Sequence, residues 1–131
     1  MTRKQNEYLL DTNVIEDHLI QKSDSQSYLE GLLLKGLCFS TVLNASELLH
    51  KAKSELEVRI IIDVLSGIKI LGLHSRYSLL VPKYSRLGLD MNRALFCVVA
   101  DYNKLPIITL TKSKYMKSNL TIHHPEEVVE E

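Results

Sequence analysis

The chain has 131 residues, the length of one average domain, and its sixteen basic and sixteen acidic residues give a formal net charge of zero. It therefore carries no global basic field that would indicate a polyanionic partner. Apolar runs such as Ile60-Ile61-Ile62 are far shorter than the roughly 20 residues of a membrane helix, and the N-terminus shows no signal-type apolar core. We therefore expect a cytoplasmic protein without a membrane partner. Cys38 and Cys97 are expected to be buried core residues rather than zinc ligands.

Predicted strands and helices alternate along the chain, which favours an α/β fold with a mainly parallel central sheet flanked by helices. We expect Pro82 to break the helical pattern around it, because proline removes a backbone donor and crowds the preceding turn. In chain order, the predicted elements are strand 7–11, helices 13–21 and 24–35, strand 37–40, helices 42–52 and 54–66, strand 68–72, a broken helical stretch 74–87, helix 90–103, strand 106–109, a short helix 112–117 and strand 119–122.

These elements are expected to form a single domain over residues 1–123. The remaining residues, 124–131, are rich in glutamate. Acidic chain ends are usually hydrated, so we predict that this acidic tail is a solvated end.

Asp11 is the first candidate functional residue. It directly follows the apolar run 8–10 and precedes Thr12 and Asn13, which open an amphipathic segment. The apolar run is too short for a buried helix and is typical of a strand. Asp11 is therefore predicted at the carboxyl end of a strand, the edge of an open α/β sheet where ligands and metals bind.

Glu47 is the second candidate acid, on the second turn of the helix that follows strand 37–40. This position predicts a side chain near the same sheet edge as Asp11. Two carboxylates from separate elements, with water completing the shell, can hold Mg²⁺ or Mn²⁺. The same spacing fits an Asp11 that only caps a helix and a Glu47 that is a surface acid.

Three segments carry a resemblance to a known family. They are residues 9–15 (Leu-Leu-Asp-Thr-Asn-Val-Ile), residues 40–49 with their Ala-Ser-Glu-Leu-Leu, and residues 94–109, from Ala-Leu-Phe-Cys-Val-Val-Ala to Leu-Pro-Ile-Ile-Thr, leading on to Tyr115. Their motifs, order and spacing resemble a PIN domain of the VapC-like toxin type, over nearly the whole chain.

The resemblance implies a small three-layer fold whose sheet edge carries a cluster of acids that bind Mg²⁺ or Mn²⁺. It also implies an endoribonuclease that cuts single-stranded RNA with metal-activated water, a homodimer and a small antitoxin partner. By the motif match, Asp11 and Glu47 are the catalytic acids and metal ligands. Thr12 and Asn13 are supporting polar contacts.

Two positions depart from the family pattern. The family's third acid stands just before an Ala-Leu pair, where this chain has Arg93. Its fourth acid or amide stands two residues after the strand-ending threonine, where this chain has Thr111. Arg93 reverses the charge at the expected metal site and cannot be deprotonated. Asp90 is expected to cap the following helix, and Asp101 lies about 12 Å further along it than Arg93, so neither acid compensates.

A hypothesis follows for the missing acids. Arg93 takes the place of the metal and pairs with Asp11 and Glu47, because clustered, partly buried acids need a counter-charge. The protein then has no cofactor, whereas Mg²⁺ or Mn²⁺ is expected if Asp11 and Glu47 are still active.

Three functions stay open at this point. One is a metal-dependent endoribonuclease with reduced or lost activity. Another is a catalytically inactive PIN fold that binds RNA or an antitoxin-like protein, and the third is an unrelated α/β protein in which Asp11 only caps a helix. Several cations are interpreted as solvated helix faces rather than as an RNA groove: Lys51, Lys53, Arg59, Lys112, Lys114 and Lys117.

Overall fold

The centre of the computed structural model, which describes residues 6–21 and 24–130, is a five-stranded parallel sheet. Its strands are β1 (Glu7–Leu10), β2 (Leu37–Thr41), β3 (Lys69–Leu71), β4 (Ile107–Ile108) and β5 (Ile122–His123). Their spatial order is β3-β2-β1-β4-β5, so β1 lies in the middle of the sheet. Strands of a parallel sheet are covered on both faces, which explains why Tyr8, Leu9 and Leu10 of β1 are all buried.

Helices cover both faces of the sheet. Side chains alternate along β1, so that Tyr8 and Leu10 join one core cluster and Leu9 joins the other. The predicted three-layer α/β fold is therefore confirmed. The helices are α1 (Thr12–Ile20), α2 (Tyr28–Lys35), α3 (Val42–His50), α4 (Glu55–Leu65), α5 (Tyr77–Ser85), α6 (Met91–Asn103) and α7 (Pro125–Val129), with 3₁₀-helices at Lys112–Lys114 and Met116–Ser118.

Both cysteines are core residues, as predicted. Cys38 packs on one side of the sheet and Cys97 on the other. Burial raises the pKa of each thiol to about 12, so both are protonated at neutral pH.

The start of α2 and the course of α5 differ from the predictions. α2 begins at Tyr28 rather than at residue 24, because Ser27 and Glu30 form a reciprocal capping box that starts the helix there. The predicted break at Pro82 is wrong, since α5 continues through this residue. Pro82 has no N–H, so the carbonyl of Ser78 lacks its usual helical donor. Both residues are exposed, so water can hydrate that carbonyl.

The last strand is also displaced from its predicted position. Strand 119–122 was expected, whereas β5 spans Ile122–His123. Asn119 has a left-handed backbone with φ of 64°, which ends the second 3₁₀-helix and delays the strand.

The prediction of a solvated acidic tail is wrong for residues 125–129, which form α7. Val128 is only 6% exposed and joins the core cluster that contains α2. A Cβ added to Gly31 in α2 would lie 2.8 Å from Cγ1 of Val129, so only glycine allows this approach. The acidic side chains Glu126 and Glu127 stay on the outer surface.

Some predictions concern residues that lie outside the described part of the chain. The absence of a signal segment was predicted from residues 1–7, of which residues 1–5 lie outside the described part, as does Glu131 of the tail. Within residues 6–21 and 24–130, none of the helices combines the length and the hydropathy that crossing a bilayer requires.

Glu127 gives the docking of α7 a specific pH dependence. Its carboxylate accepts from Lys112 Nζ at 2.8 Å and also contacts His123, and these partners lower its pKa from 4.5 to about 2. A lowered pKa stabilises the fold above pH 4.5, and this contribution is lost as the pH falls towards 2. Glu127→Gln should therefore lower the Tm at neutral pH. The difference in Tm between this variant and wild type should disappear as the pH falls from 4.5 through 2. Thermal denaturation at several pH values measures this, with the exposed Glu130→Gln as control; equal effects of both variants would contradict it.

Candidate functional site

A cleft of about 510 Å³ opens at the carboxyl edge of the sheet. Asp11 enters it from the end of β1, and Glu47 enters it from α3, which follows β2. The sequence therefore placed both candidate acids at the same edge. The charged residues that line the cleft are Asp11, Glu16, Glu47, Lys51, Asp90, Arg93 and Lys114.

Asp11 is 5% exposed, and both of its carboxylate oxygens have partners. Oδ1 accepts from the backbone N–H of Thr12 at 2.8 Å, so Asp11 caps α1. Oδ2 accepts from the hydroxyl of Thr109 at 2.9 Å and lies 3.9 Å from Lys114 Nζ. The carboxylate is thus held by hydrogen bonds from two elements and by one ion pair.

Thr12 connects the two candidate acids. Its backbone N–H donates to Asp11, while its hydroxyl lies 3.4 Å from Glu47 Oε2. The same hydroxyl accepts from Asn44 Nδ2 at 2.7 Å. Asn44 was missed by sequence reasoning, although Thr41 three residues before it is the kind of N-cap that signals an ordered first turn.

Asn13 and Thr109 form a second polar link beneath the cleft. Asn13 Nδ2 donates to Thr109 Oγ1 at 3.2 Å, and Asn13 Oδ1 accepts from the backbone N–H of Leu110 at 3.1 Å. Thr109 also accepts from the N–H of Thr111 at 3.2 Å. Thr109 thus orients Asp11 and connects α1 to the segment after β4. The sequence marks Thr109 only as the end of a strand and did not predict this role.

The hypothesis that Arg93 pairs with Asp11 and Glu47 is wrong. Arg93 Nε lies 3.6 Å from Asp90 Oδ2, one turn back on α6, and its side chain is 43% exposed. Asp90 caps α6 as predicted, accepting from the N–H of Arg93 at 2.9 Å, so its carboxylate is the nearer counter-charge. The cation that faces Asp11 is Lys114.

Aromatic residues close one wall of the cleft. Tyr115 is 2% exposed, and its ring centroid lies 5.5 Å from that of Phe96. Burial raises the pKa of Tyr115, and the negative charge of Asp11 raises it further, so the phenol remains protonated. Thr111, the other position that departs from the family pattern, is exposed and does not line the cleft.

The cleft can be tested for its fit to Mg²⁺ or Mn²⁺, which take oxygen ligands, chiefly carboxylates. In the part of the chain that the structure describes, no three His, Cys, Asp or Glu side chains are placed to hold a metal together. Lys51, Arg93 and Lys114 instead bring positive charge to the walls. The side chains present therefore do not fit a resident divalent ion.

Solved structures share this architecture. The chain matches one from VapBC2 of Rickettsia felis bound to a promoter DNA fragment, with a TM-score of 0.74 and 19% identity over 90% of this chain and 98% of that one. It also matches VapBC-1 from nontypeable Haemophilus influenzae, with a TM-score of 0.74 and 16% identity over 91% and 98% of the two chains. A toxin–antitoxin complex from Klebsiella pneumoniae matches with a TM-score of 0.72 and 16% identity, over 90% of this chain and 97% of that one.

The chain has a PIN-like fold. It is similar in fold to chains of the VapBC2 and VapBC-1 structures over nearly its whole length. No protein-family model matches the sequence, and no curated protein matches it either. At these low identities the likeness concerns the PIN-like fold alone, so the chemistry has to be argued from the cleft.

Thr109 offers a direct test of the polar framework under the PIN-like cleft. Thr109→Val removes the donor to the buried carboxylate of Asp11 and the acceptor for Asn13, at similar volume. We expect a loss of about 1–3 kcal/mol in the free energy of unfolding, measured by urea denaturation. Thr121→Val, at an exposed position, should change it by no more than about 0.5 kcal/mol. Equal stability of the two variants would contradict the assigned role.

Proposed function

We propose that the protein is the toxin-fold half of a toxin–antitoxin-type pair and that it acts by binding a protein partner rather than by hydrolysing RNA. The observation that carries the proposal is the ion pair between Lys114 and Asp11, at the place where the family resemblance implies a metal. A nuclease of this kind depends on a metal ion that offsets charge developing on the phosphate. Here protein cations already neutralise most of the acids.

Ion pairs involve three of the four acids that line the cleft, namely Asp11, Glu16 and Asp90. Four acids line it together with three cations, and each cation has an acid within 4 Å. Ion pairs already formed inside the cleft oppose the entry of a divalent cation, because the cation must displace or approach a positive group. The three pairs are Lys114–Asp11 at 3.9 Å, Lys51–Glu16 at 3.8 Å and Arg93–Asp90 at 3.6 Å.

An apolar groove beside the cleft supports a protein partner. It has a volume of about 270 Å³, runs between α1 and α4, and shares Glu16 and Lys51 with the cleft. Ile20 at its edge is 73% exposed and Ile60 is 47% exposed. Clustered apolar side chains next to a charged rim are typical of protein-binding surfaces. Because a solved structure of similar fold is named as a toxin–antitoxin complex, we assign the groove to an antitoxin-type protein.

The homodimer that the family resemblance implies stays a prediction.

A second candidate function is Mg²⁺- or Mn²⁺-dependent cleavage of single-stranded RNA. It is favoured by the convergence of Asp11 and Glu47 on one cleft, where Thr12 contacts both. Such an enzyme would recruit its ion only together with an RNA phosphate, since two carboxylates are a minimal ligand set.

A metal titration separates the two candidates. A ligand present at a hundredfold its Kd stabilises a fold by about 2.7 kcal/mol, so binding is readily seen in the Tm. We expect wild type and Asp11→Asn to show equal Tm shifts with millimolar Mn²⁺ or Mg²⁺ and no cleavage of single-stranded RNA. Cleavage that requires Mn²⁺ and disappears in Asp11→Asn would instead establish the second candidate.

The groove provides the test of partner binding. Wild-type protein isolated from its native cells should carry a small protein in a fixed stoichiometric ratio, measured by native mass spectrometry. Ile20→Glu places a charge in the apolar groove and should abolish that complex. Leu79→Glu, at a residue that is 79% exposed on α5, should leave it intact. Loss of the same protein from both variants, or from neither, would contradict the assignment.

A further inference from the structure

Lys114 is held at the cleft by the backbone of its own 3₁₀-helix. Its N–H donates to the carbonyl of Thr111 at 3.2 Å, and the N–H of Tyr115 donates to the carbonyl of Lys112 at 3.1 Å. The N–H of Thr111 in turn donates to Thr109, whose hydroxyl binds Asp11. The helix that carries the ammonium group is therefore anchored to the residue that orients the carboxylate.

The outer side of this 3₁₀-helix is anchored as well. Lys112 Nζ donates to Glu127 Oε1 at 2.8 Å, and Glu127 belongs to α7, which packs on α2. Lys112 and Lys114 thus form ion pairs with acids on different elements, Glu127 and Asp11. The backbone that carries Lys114 is consequently anchored on both sides, and the Lys114 ammonium lies 3.9 Å from Asp11.

The environments of Lys114 and Arg93 differ. The Asp11 side chain is 7% exposed and that of Lys114 is 30% exposed, so their pair lies largely out of water. Arg93 is more exposed and is directed to Asp90, whose side chain is itself 61% exposed. Charges act more strongly on each other where water is excluded. The pair of Lys114 with Asp11 is therefore less hydrated than the pair of Arg93 with Asp90.

We propose that Lys114 is the built-in counter-ion of Asp11, that it occupies the place of a divalent cation, and that it makes the cleft refractory to Mn²⁺ and Mg²⁺. The inference rests on the proposed function, in which the cleft holds no metal. It adds that this one charge, rather than that of Arg93, keeps a divalent cation out of the cleft. Removing the ammonium leaves Asp11 and Glu47, joined through Thr12, as carboxylates open to a cation.

Binding of Mn²⁺, followed by the electron paramagnetic resonance of the free ion and by the Tm, tests this role. Lys114→Gln and Lys114→Met remove the charge, the second with a side chain of similar length. We expect both to bind one Mn²⁺ per chain with a Kd lower than that of wild type by on the order of tenfold or more. Adding Asp11→Asn to either variant should abolish the gain. A merely structural role for Lys114 would lower the Tm without creating a metal site.

Two matched variants complete the experiment. Lys114→Arg keeps the positive charge and should bind Mn²⁺ no better than wild type. Arg93→Gln removes a different cation of the cleft, one that is paired with Asp90, and should also leave binding unchanged. A gain in Arg93→Gln, or no gain in either charge-removing variant at Lys114, would overturn the inference while leaving the proposed function standing. Tight, specific Mn²⁺ binding by wild type would overturn both.

Discussion

The buried carboxylate of Asp11 is the constraint on which the rest of the structure depends. The backbone N–H of Asp11 donates to the carbonyl of Ile108 in β4 at 2.9 Å. One oxygen of the Asp11 side chain caps α1 by accepting from Thr12, and the other accepts from the hydroxyl of Thr109. A buried carboxylate is costly unless hydrogen bonds and a counter-charge satisfy it. The strand end, the first helix and the segment after β4 are therefore joined at one ionised group, and Lys114 supplies the charge.

The cleft lies where the PIN-like sheet brings several elements together. PIN-like architecture brings Asp11 and Glu47 to one sheet edge, because the elements that follow parallel strands meet there. The positions around them then decide whether that edge attracts or repels a metal ion. In this chain, cations come from the end of α3, the first turn of α6 and the 3₁₀-helix after β4.

The C-terminal helix contributes to the cleft although it lies outside it. Val128 and Val129 dock α7 on the core, and Glu127 holds Lys112 two residues before Lys114. The packing of an apparent tail thus restricts the segment that presents a charge to Asp11. Gly31 makes this possible, since a larger residue would keep the two helices apart.

Sequence patterns alone determined the alternation of strands and helices, the burial of β1, the two core cysteines and the position of Asp11 and Glu47 at one edge. These features depend on local periodicity and on the rule that parallel strands end together. Tertiary structure decided that Lys114, rather than Arg93, faces Asp11, and that the tail packs as α7. The pair of Lys114 with Asp11 and the docking of α7 on α2 are contacts between residues far apart in sequence, and local patterns do not reveal such contacts. Arg93 is instead held by a local contact, since Asp90 lies only one turn before it on α6.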